Sequence, residues 1–476
     1  MKKSVNKHLY ALILAGGVGS RFWPFSRELE PKQFLNITGQ GSLIQNTIRR
    51  LDKVVAPSNI YIISRNTYFY ELKKQIKKFN IPESNILLEP QAKNTAPAIG
   101  LGSKFIAKLD KDAIVIVLPS DHYVPDYDNF RACIFKAAQI ACLNFLVTIG
   151  IRPKRQSSGY GYIKVDRTKL FKLENRNIFY KVEKFFEKPS LEKIKKHFKG
   201  TDYFWNSGIF VWKASEFMDE LKAYLPDLYK KIMSIRNNND LVRVWKRVTP
   251  ISVDYGILEH SKKIALIAAN FSWADLGSWD ALNEVLAKDV NGNVFQADSL
   301  DLGSKETCVF SRGNRLIATI GLEGLVIADT PDALLVCDRH KSQEVRKLID
   351  DLKSLRRKEH IRHLCEKRPW GSYTVLQVGE GFKIKLVEID PKKRLSLQSH
   401  SKRAEHWVVV HGCAKVTYSN KTKTVKSNQS IYIPKGTKHR LENITNLPLK
   451  IVEVQTGNYL EEDDIKRFED DFDRLL

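Results

Sequence analysis

Three glycines, two prolines and three cations, Arg21, Arg27 and Lys32, fall within the stretch from Leu12 to Phe34, LILAGGVGSRFWPFSRELEPKQF. Gly16, Gly17 and Gly19 lack a Cβ, so a ligand can come close to the backbone and N–H groups can face anionic oxygens. Arg21 and Lys32 are cations suited to a polyphosphate. Two isolated carboxylates lie far downstream, Asp121 after the apolar run Ile114 to Leu118 and Asp275 within WADLGSW. Together they suit Mg²⁺, a hard cation that takes oxygen ligands and bridges phosphates. A second constellation stands near the C-terminal end. Gln398 and His400 are two apart and so share one face of a strand, Glu405 begins the next strand, and His439 ends the turn Pro434 to His439. Gln, His, Glu and His make a mixed nitrogen and oxygen metal site with room for a substrate. The same period demands that His406 point away if Glu405 points in.

The elements that must position these groups alternate in type. Leu12 to Leu14 is a short unbroken apolar run, as in a strand buried on both faces of a parallel sheet. Pro24 and Pro31 discourage an immediate helix, so an extended loop is predicted up to Ser42, where Ser42 and Gln45 form a capping box. Ile60 to Ile63, Ile86 to Leu88 and Ile114 to Leu118 read as strands, and Tyr68 to Phe79 and Ala96 to Leu109 as helices. This alternation predicts a doubly wound sheet whose ligands lie beyond the carboxyl ends of its strands. Glu89-Pro90, Asn94-Thr95 and Asp121 stand at those ends. From about 290 to 340 the pattern turns to short strands with glycine and asparagine turns. Gln343 to His363 reads as one basic helix, and alternating strands from Lys383 to Gln455 predict an antiparallel barrel.

With 476 residues the chain requires two or three domains. The boundaries predicted are 1–288, 289–365 and 366–476. Hydrophobic residues at 43% and charged residues at 28% describe a soluble globular protein. No apolar run is long enough for a membrane helix, and the apolar stretch after the basic start MKKSVNK runs straight into the glycine loop, which argues against a secretory leader. A cytoplasmic protein is expected, without membrane contact. Six cysteines without a Cys-x-x-Cys pair read as reduced thiols. The net charge of +24 is spread along the chain with no nucleic-acid motif, so it reads as solvated surface plus phosphate sites rather than as a nucleic-acid interface.

Two common phosphate loops do not fit. A dinucleotide-binding GxGxxG needs glycine where Arg21 or Phe22 stands, and a P-loop needs Gly-Lys-Ser/Thr. The full spacing of Gly16, Gly17, Gly19, Arg21, Pro31, Lys32, Gln33 and Phe34 resembles the signature of sugar-nucleotide pyrophosphorylases, in the mannose-1-phosphate guanylyltransferase branch. The segments at Asn94-Thr95-Ala96-Pro97, Phe185-Phe186-Glu187-Lys188-Pro189 and Phe204-Trp205-Asn206-Ser207-Gly208 extend that resemblance, which is nearly continuous from Leu12 to Trp279. It implies transfer of GMP from GTP to mannose 1-phosphate with Mg²⁺. The roles implied are Gly16, Gly17, Gly19 and Asn94 for the nucleotide and Arg21, Lys32 and Lys188 for catalysis. Gly161, Glu187 and Asn206 would hold the sugar phosphate, and Asp121 and Asp275 the metal.

The C-terminal segment resembles the cupin domain of type II phosphomannose isomerases fused to guanylyltransferases. The fold implied is an α/β nucleotidyltransferase with a Rossmann-like mixed sheet, then a small β connector and a C-terminal cupin β-barrel. A divalent metal such as Zn²⁺ would sit on Gln398, His400, Glu405 and His439, with mannose 6-phosphate as a second substrate and fructose 6-phosphate as its isomer. The alternatives are a monofunctional guanylyltransferase with a structural or regulatory cupin, or a pyrophosphorylase for another sugar nucleotide, and a homo-oligomer is compatible with each. The family reads Gln-x-His-His-His-Arg-Ala-Glu-His-Trp where this chain has Ser401 and Lys402 in place of two histidines. An inward Lys402 would oppose a metal cation or bind a substrate phosphate.

Overall fold

The computed structural model describes residues 7–173, 177–198, 200–419 and 421–471, so most of the basic start weighed as a leader lies outside the described residues. Two compact units result. One runs to Thr330 and resumes over Leu334–His360; the other comprises Pro331–Ala333 and the chain from Ile361 onward.

In the first unit β1 (Leu9–Ala15), β2 (Ile60–Arg65), β3 (Ile86–Glu89), β4 (Ile114–Pro119), β6 (Leu146–Ile151), β7 (Tyr162–Leu173), β8 (Asn177–Phe186), β9 (Tyr203–Lys213) and β10 (Ile264–Ala268) form one mixed sheet. Its order is β3-β2-β1-β4-β9-β6-β10-β8-β7. The period of two explains why β1 reads as a continuous apolar run. Ala11 and Ile13 enter one core, Leu12 enters the other, and helices cover both faces. The pairs β1–β2, β1–β4 and β2–β3 are parallel. β9 enters antiparallel between β4 and β6, which makes the sheet mixed rather than uniformly doubly wound. Outside this sheet β5 (His122–Tyr123) pairs with β11 (Ala274–Asp275) as a two-stranded ribbon.

Two local expectations need correction. The loop after β1 is interrupted by single 3₁₀ turns at Ser20–Phe22 and Lys32–Phe34. Proline is compatible with such a turn when it precedes it, as Pro31 does with an extended backbone. The capping box on Ser42 and Gln45 is present, and the helix covers Leu43–Arg49. The basic helix expected over Gln343 to His363 is shorter, Val345–Ser354, after a 3₁₀ segment Arg339–Glu344. Arg356 takes a left-handed φ of 54° and the Arg357 N–H donates to Leu352 O, a Schellman-type stop with arginine where glycine is usual. Basic side chains extend the charge pattern past the point where the backbone turns.

The short strands near residue 300 pair in parallel, Val294–Gln296 with Cys308–Ser311 and Ser299–Leu302 with Ile317–Ile320, as successive coils of a small β-helix. In the second unit a six-stranded and a five-stranded sheet of antiparallel strands enclose the core of a cupin-type barrel that includes Trp370, Trp407, Val416 and Ile451. All six cysteines are free. Among the described residues no helix is long and apolar enough to cross a membrane.

Candidate active site and metal cluster

The glycine loop folds back on itself because its two arms are tied together. Ser26 Oγ donates to Gly19 O at 2.7 Å, the Lys32 N–H to Val18 O at 3.3 Å, and Gln33 Nε2 to Ala15 O at 3.0 Å. Gly19 has φ +66°, and a Cβ there would lie 2.4 Å from Lys32 Cβ. Glycine is therefore required for the Lys32 side chain to pass beneath the loop.

Lys32 is 4% exposed, and its Nζ lies 2.8 Å from Asp121 Oδ2, 3.9 Å from Asp275 Oδ1 and 2.5 Å from Leu276 O. The two carboxylates meet because Asp275 pairs with His122 in the β5–β11 ribbon, which sets Asp121 beside it. Burial works to raise the Asp121 pKa, but the Lys32 charge and hydrogen bond together with His122 pull it down to about 2. Arg21 points along Gly277, with Nη1 3.8 Å from where a Cβ at that glycine would sit, and no described residue bonds its guanidinium. Arg21, Lys32, Asp121 and Asp275 thus share one neighbourhood. A cleft of about 290 Å³ is lined by Gly16, Gly17, Gln33, Glu89, Asn94 and Asp121. Asn94, at φ +70°, caps the helix Thr95–Leu109 by accepting from the Thr95 N–H at 2.8 Å.

Glu89 reaches this cleft at the end of β3, only 3% exposed, and its Oε1 has no hydrogen-bond partner. Burial pushes its pKa up to about 8 against the opposing Arg65 charge. The folded state therefore holds this proton where the unfolded chain releases it near 4.5, and stability falls as pH rises between these values. At pH 7 the cost is about 3 kcal/mol, from roughly 1.4 kcal/mol per pKa unit. Glu89→Gln is expected to flatten that fall, as read by urea unfolding from pH 5 to 8; an unchanged slope assigns it to another group.

A second cluster gathers where β8 ends. Lys188 adopts φ +42° and its Nζ lies 3.2 Å from Glu187 Oε1. Gly161 makes room for this group, since a Cβ there would be 2.8 Å from Glu187 Oε2 and 3.4 Å from Asn206 Cβ. The Asn206 N–H donates to Gly161 O, its Nδ2 donates to Asp254 Oδ1 at 2.8 Å, and its Oδ1 accepts the Gly208 N–H at 3.0 Å. Asp254 had no role in the sequence reading. Its only sequence signal was a lone carboxylate in SVDY, and nothing in that segment announces Asn206 as its partner.

In the second unit His400, Glu405 and His439 are buried, with one ligand atom from each lying within 4.8 Å of the others. Glu405 Oε1 is 3.1 Å from His400 Nε2, and Glu405 Oε2 is 3.6 Å from His439 Nε2. Gln398 Nε2 lies 3.5 Å from His400 Nε2. His439 Nδ1 lies 2.8 Å from Thr437 O and so carries the proton, which leaves the buried Nε2 as a lone pair without a hydrogen-bond partner. That orphaned donor atom beside a buried carboxylate fits a divalent metal. Burial works to raise the Glu405 pKa, but the His400 hydrogen bond and the electrostatic pull of the adjoining His400, His439 and Arg403 side chains hold it well below the usual range. His406 is exposed, on the opposite face from Glu405.

Lys402 does not face the metal cluster. Its Nζ lies over the Tyr459 ring at 4.2 Å and its N–H donates to Asp464, which also accepts from Ser401 Oγ. The cation beside the cluster is Arg403, 2% exposed, whose Nε donates to Glu405 Oε1 at 3.1 Å. Arg403 stands two residues before Glu405, so the period of two that placed Glu405 inward also places Arg403 there. Lys402→Ala is expected to leave the response to added zinc at the wild-type level in a metal titration and to cost about 0.5–1 kcal/mol of stability through the lost ring contact.

Comparison with known proteins gives matches along the chain. A nucleotidyl transferase family model matches residues 10–292, a mannose-phosphate isomerase/GMP-like β-helix domain matches 300–352, and a mannose-6-phosphate isomerase C-terminal model matches 355–470. The chain is 39% identical over 469 residues to a putative mannose-1-phosphate guanylyltransferase of Vibrio cholerae, covering 96% of this chain and 99% of that one. It is 38% identical over 477 residues to the mannose-1-phosphate guanylyltransferase of Escherichia coli, covering 98% and 99%. A crystal structure from Thermus thermophilus, described as a mannose-1-phosphate geranyltransferase, superimposes with a TM-score of 0.63 at 31% identity, covering 73% of this chain and 99% of that one.

Proposed function

The chain belongs to the mannose-1-phosphate guanylyltransferase family, and from that membership we propose that it transfers GMP from GTP to mannose 1-phosphate, giving GDP-mannose and pyrophosphate in the cytoplasm. The observation that carries this reading is the convergence of Lys32 and Asp275 on Asp121, which itself lines the glycine-loop cleft. A phosphate oxygen of mannose 1-phosphate attacks the α-phosphorus of GTP, that P–O bond forms, and the bond to the β-phosphate oxygen breaks. The nucleophile is already an anion, so no base is required, and the protein contributes position and charge neutralisation.

The paired carboxylates are a hard-oxygen set of the kind that fits Mg²⁺, and of the two the Lys32 ammonium holds only Asp121 Oδ2, at 2.8 Å, with Asp275 Oδ1 at 3.9 Å. Asp121 and Asp275 would hold that ion, which when bound supplies charge neutralisation at the phosphates. Arg21 and Lys32 offset the charge of the triphosphate and departing pyrophosphate, and the Gly16 and Gly17 backbone lets the nucleotide lie close. Lys188 draws the sugar phosphate in, and Glu187 and Asn206 hold its hydroxyls. The test is pyrophosphate release across four nucleoside triphosphates and several sugar 1-phosphates, with GTP and mannose 1-phosphate expected to lead. Absence of turnover with that pair overturns the reading.

The orphaned His439 Nε2 supports a second activity, interconversion of mannose 6-phosphate and fructose 6-phosphate. Gln398, His400, Glu405 and His439 would hold a divalent ion such as Zn²⁺, which supplies polarisation of a sugar oxygen when bound. A coupled isomerase assay before and after chelation and zinc readdition tests it. A zinc-loaded protein that makes GDP-mannose without isomerising leaves the barrel structural or regulatory.

A further inference from the structure

Asn206 is less free than its side-chain chemistry allows. Its Oδ1 accepts the Gly208 N–H at 3.0 Å and lies 3.5 Å from Thr148 Oγ1, and its Nδ2 donates to Asp254 Oδ1 at 2.8 Å. The backbone N–H fixes which end of the amide is the oxygen, so Asn206 has one N–H left for a ligand and no acceptor. A sugar ring held here needs acceptors for its hydroxyl protons, and those now come from carboxylates.

Asp254 is placed to be one of them. It opens a single π-helical turn, Asp254–Leu258, a backbone form concentrated at functional positions, and it is half-buried. One oxygen is committed to Asn206, whose Cβ borders the same gap at Gly161 that Glu187 Oε2 fills. Lys188 Nζ lies 3.2 Å from Glu187 Oε1, so two carboxylates and one ammonium gather around Asn206, and burial and then the Glu187 charge push the Asp254 pKa up to about 6 with Lys188 opposing. Two neighbouring acceptors with few donors between them match a polyhydroxyl ligand, whose adjacent O–H groups each donate to one carboxylate.

We propose that Asp254 is a sugar-specificity residue of the guanylyltransferase site, its second carboxylate oxygen accepting from one ring hydroxyl of the hexose 1-phosphate beside the hydroxyl held by Glu187. This rests on the transfer reaction proposed above. Asp254 touches the sugar, not the nucleotide, and acts on discrimination between sugars.

The test pairs protein and substrate deletions. Pyrophosphate release is measured for wild type, Asp254→Ala and Asp254→Asn with GTP and mannose 1-phosphate or its 2-, 3-, 4- and 6-deoxy analogues. Removing the hydroxyl read by Asp254 is expected to cost wild type about 10- to 100-fold in kcat/KM, the scale of a charge-assisted hydrogen bond. Asp254→Ala should lose a similar factor on mannose 1-phosphate, lose nothing further with that one deoxy analogue, keep the other penalties, and leave KM for GTP unchanged. Asp254→Asn preserves shape and reports the same pattern if the alanine variant does not fold. Equal penalties in wild type and variant for all four analogues, or a rise in KM for GTP to match, overturn the assignment in favour of a scaffold role. No pyrophosphate from wild type with GTP and mannose 1-phosphate instead marks failure of the transfer reading itself.

Discussion

Arg21→Ala lowers kcat for GDP-mannose formation by about 10²-fold or more, the scale on which lost electrostatic donors act. The guanidinium bonds no described residue, so it contributes nothing that its removal would unpair, and the melting temperature should stay near that of the wild type. Its position along Gly277, itself 3.5 Å from Asp275 Oδ2 at the hypothetical Cβ, puts it beside the acidic pair where charge shifts from α-phosphate to pyrophosphate. Lys32 is the contrasting case, because it is buried against Asp121 and its loss strands a carboxylate. Arg21 therefore separates turnover from folding. Wild-type turnover in the alanine variant removes this residue from the reaction.

On the isomerase reading proposed above, Glu405→Gln should abolish zinc binding and isomerisation, and it should destabilise the barrel by about 3–5 kcal/mol, the range for removing one member of a buried charged set. Glu405 accepts from Arg403 Nε and Trp407 Nε1, each at 3.1 Å, and lies within 3.6 Å of both histidines. The amide cannot accept at both ends, so either Arg403 or the indole is left facing a donor in a site that is 2% exposed. Zinc titration and urea unfolding, followed through the indole fluorescence, measure the two losses. Retained zinc affinity excludes Glu405 as a ligand.

The sequence carried the parts whose signal is local. The capping box on Ser42, the buried strand from Ile114, the inward pair Gln398 and His400 and the outward His406 each follow from a short period or a pair of side chains. What was not legible depends on partners that sequence does not pair. Asp254 acquires meaning only from Asn206, and the Lys32 ammonium reaches Asp121 because Gly19 clears its path. Which way Lys402 faces is open in the sequence, because a substitution next to a ligand motif does not carry its own orientation, and Asp464 and Tyr459 draw it outward. The helix end at Ser354 was missed for a related reason. Charge continued past it, and a left-handed arginine gives no glycine to mark the stop.

The ribbon that joins His122 to Asp275 bears on how the enzyme comes into being during translation. A nascent chain that has already built β1 to β4 owns the glycine loop, Lys32 and Asp121, yet it lacks the second acid until Asp275 leaves the ribosome. Growing chains are therefore expected to be silent through most of the synthesis of this unit, and a ribosome-stalled series should show GDP-mannose formation only once residues past His360, where the unit closes on the glycine-loop arm through Trp23 and Glu359, are clear of the exit tunnel.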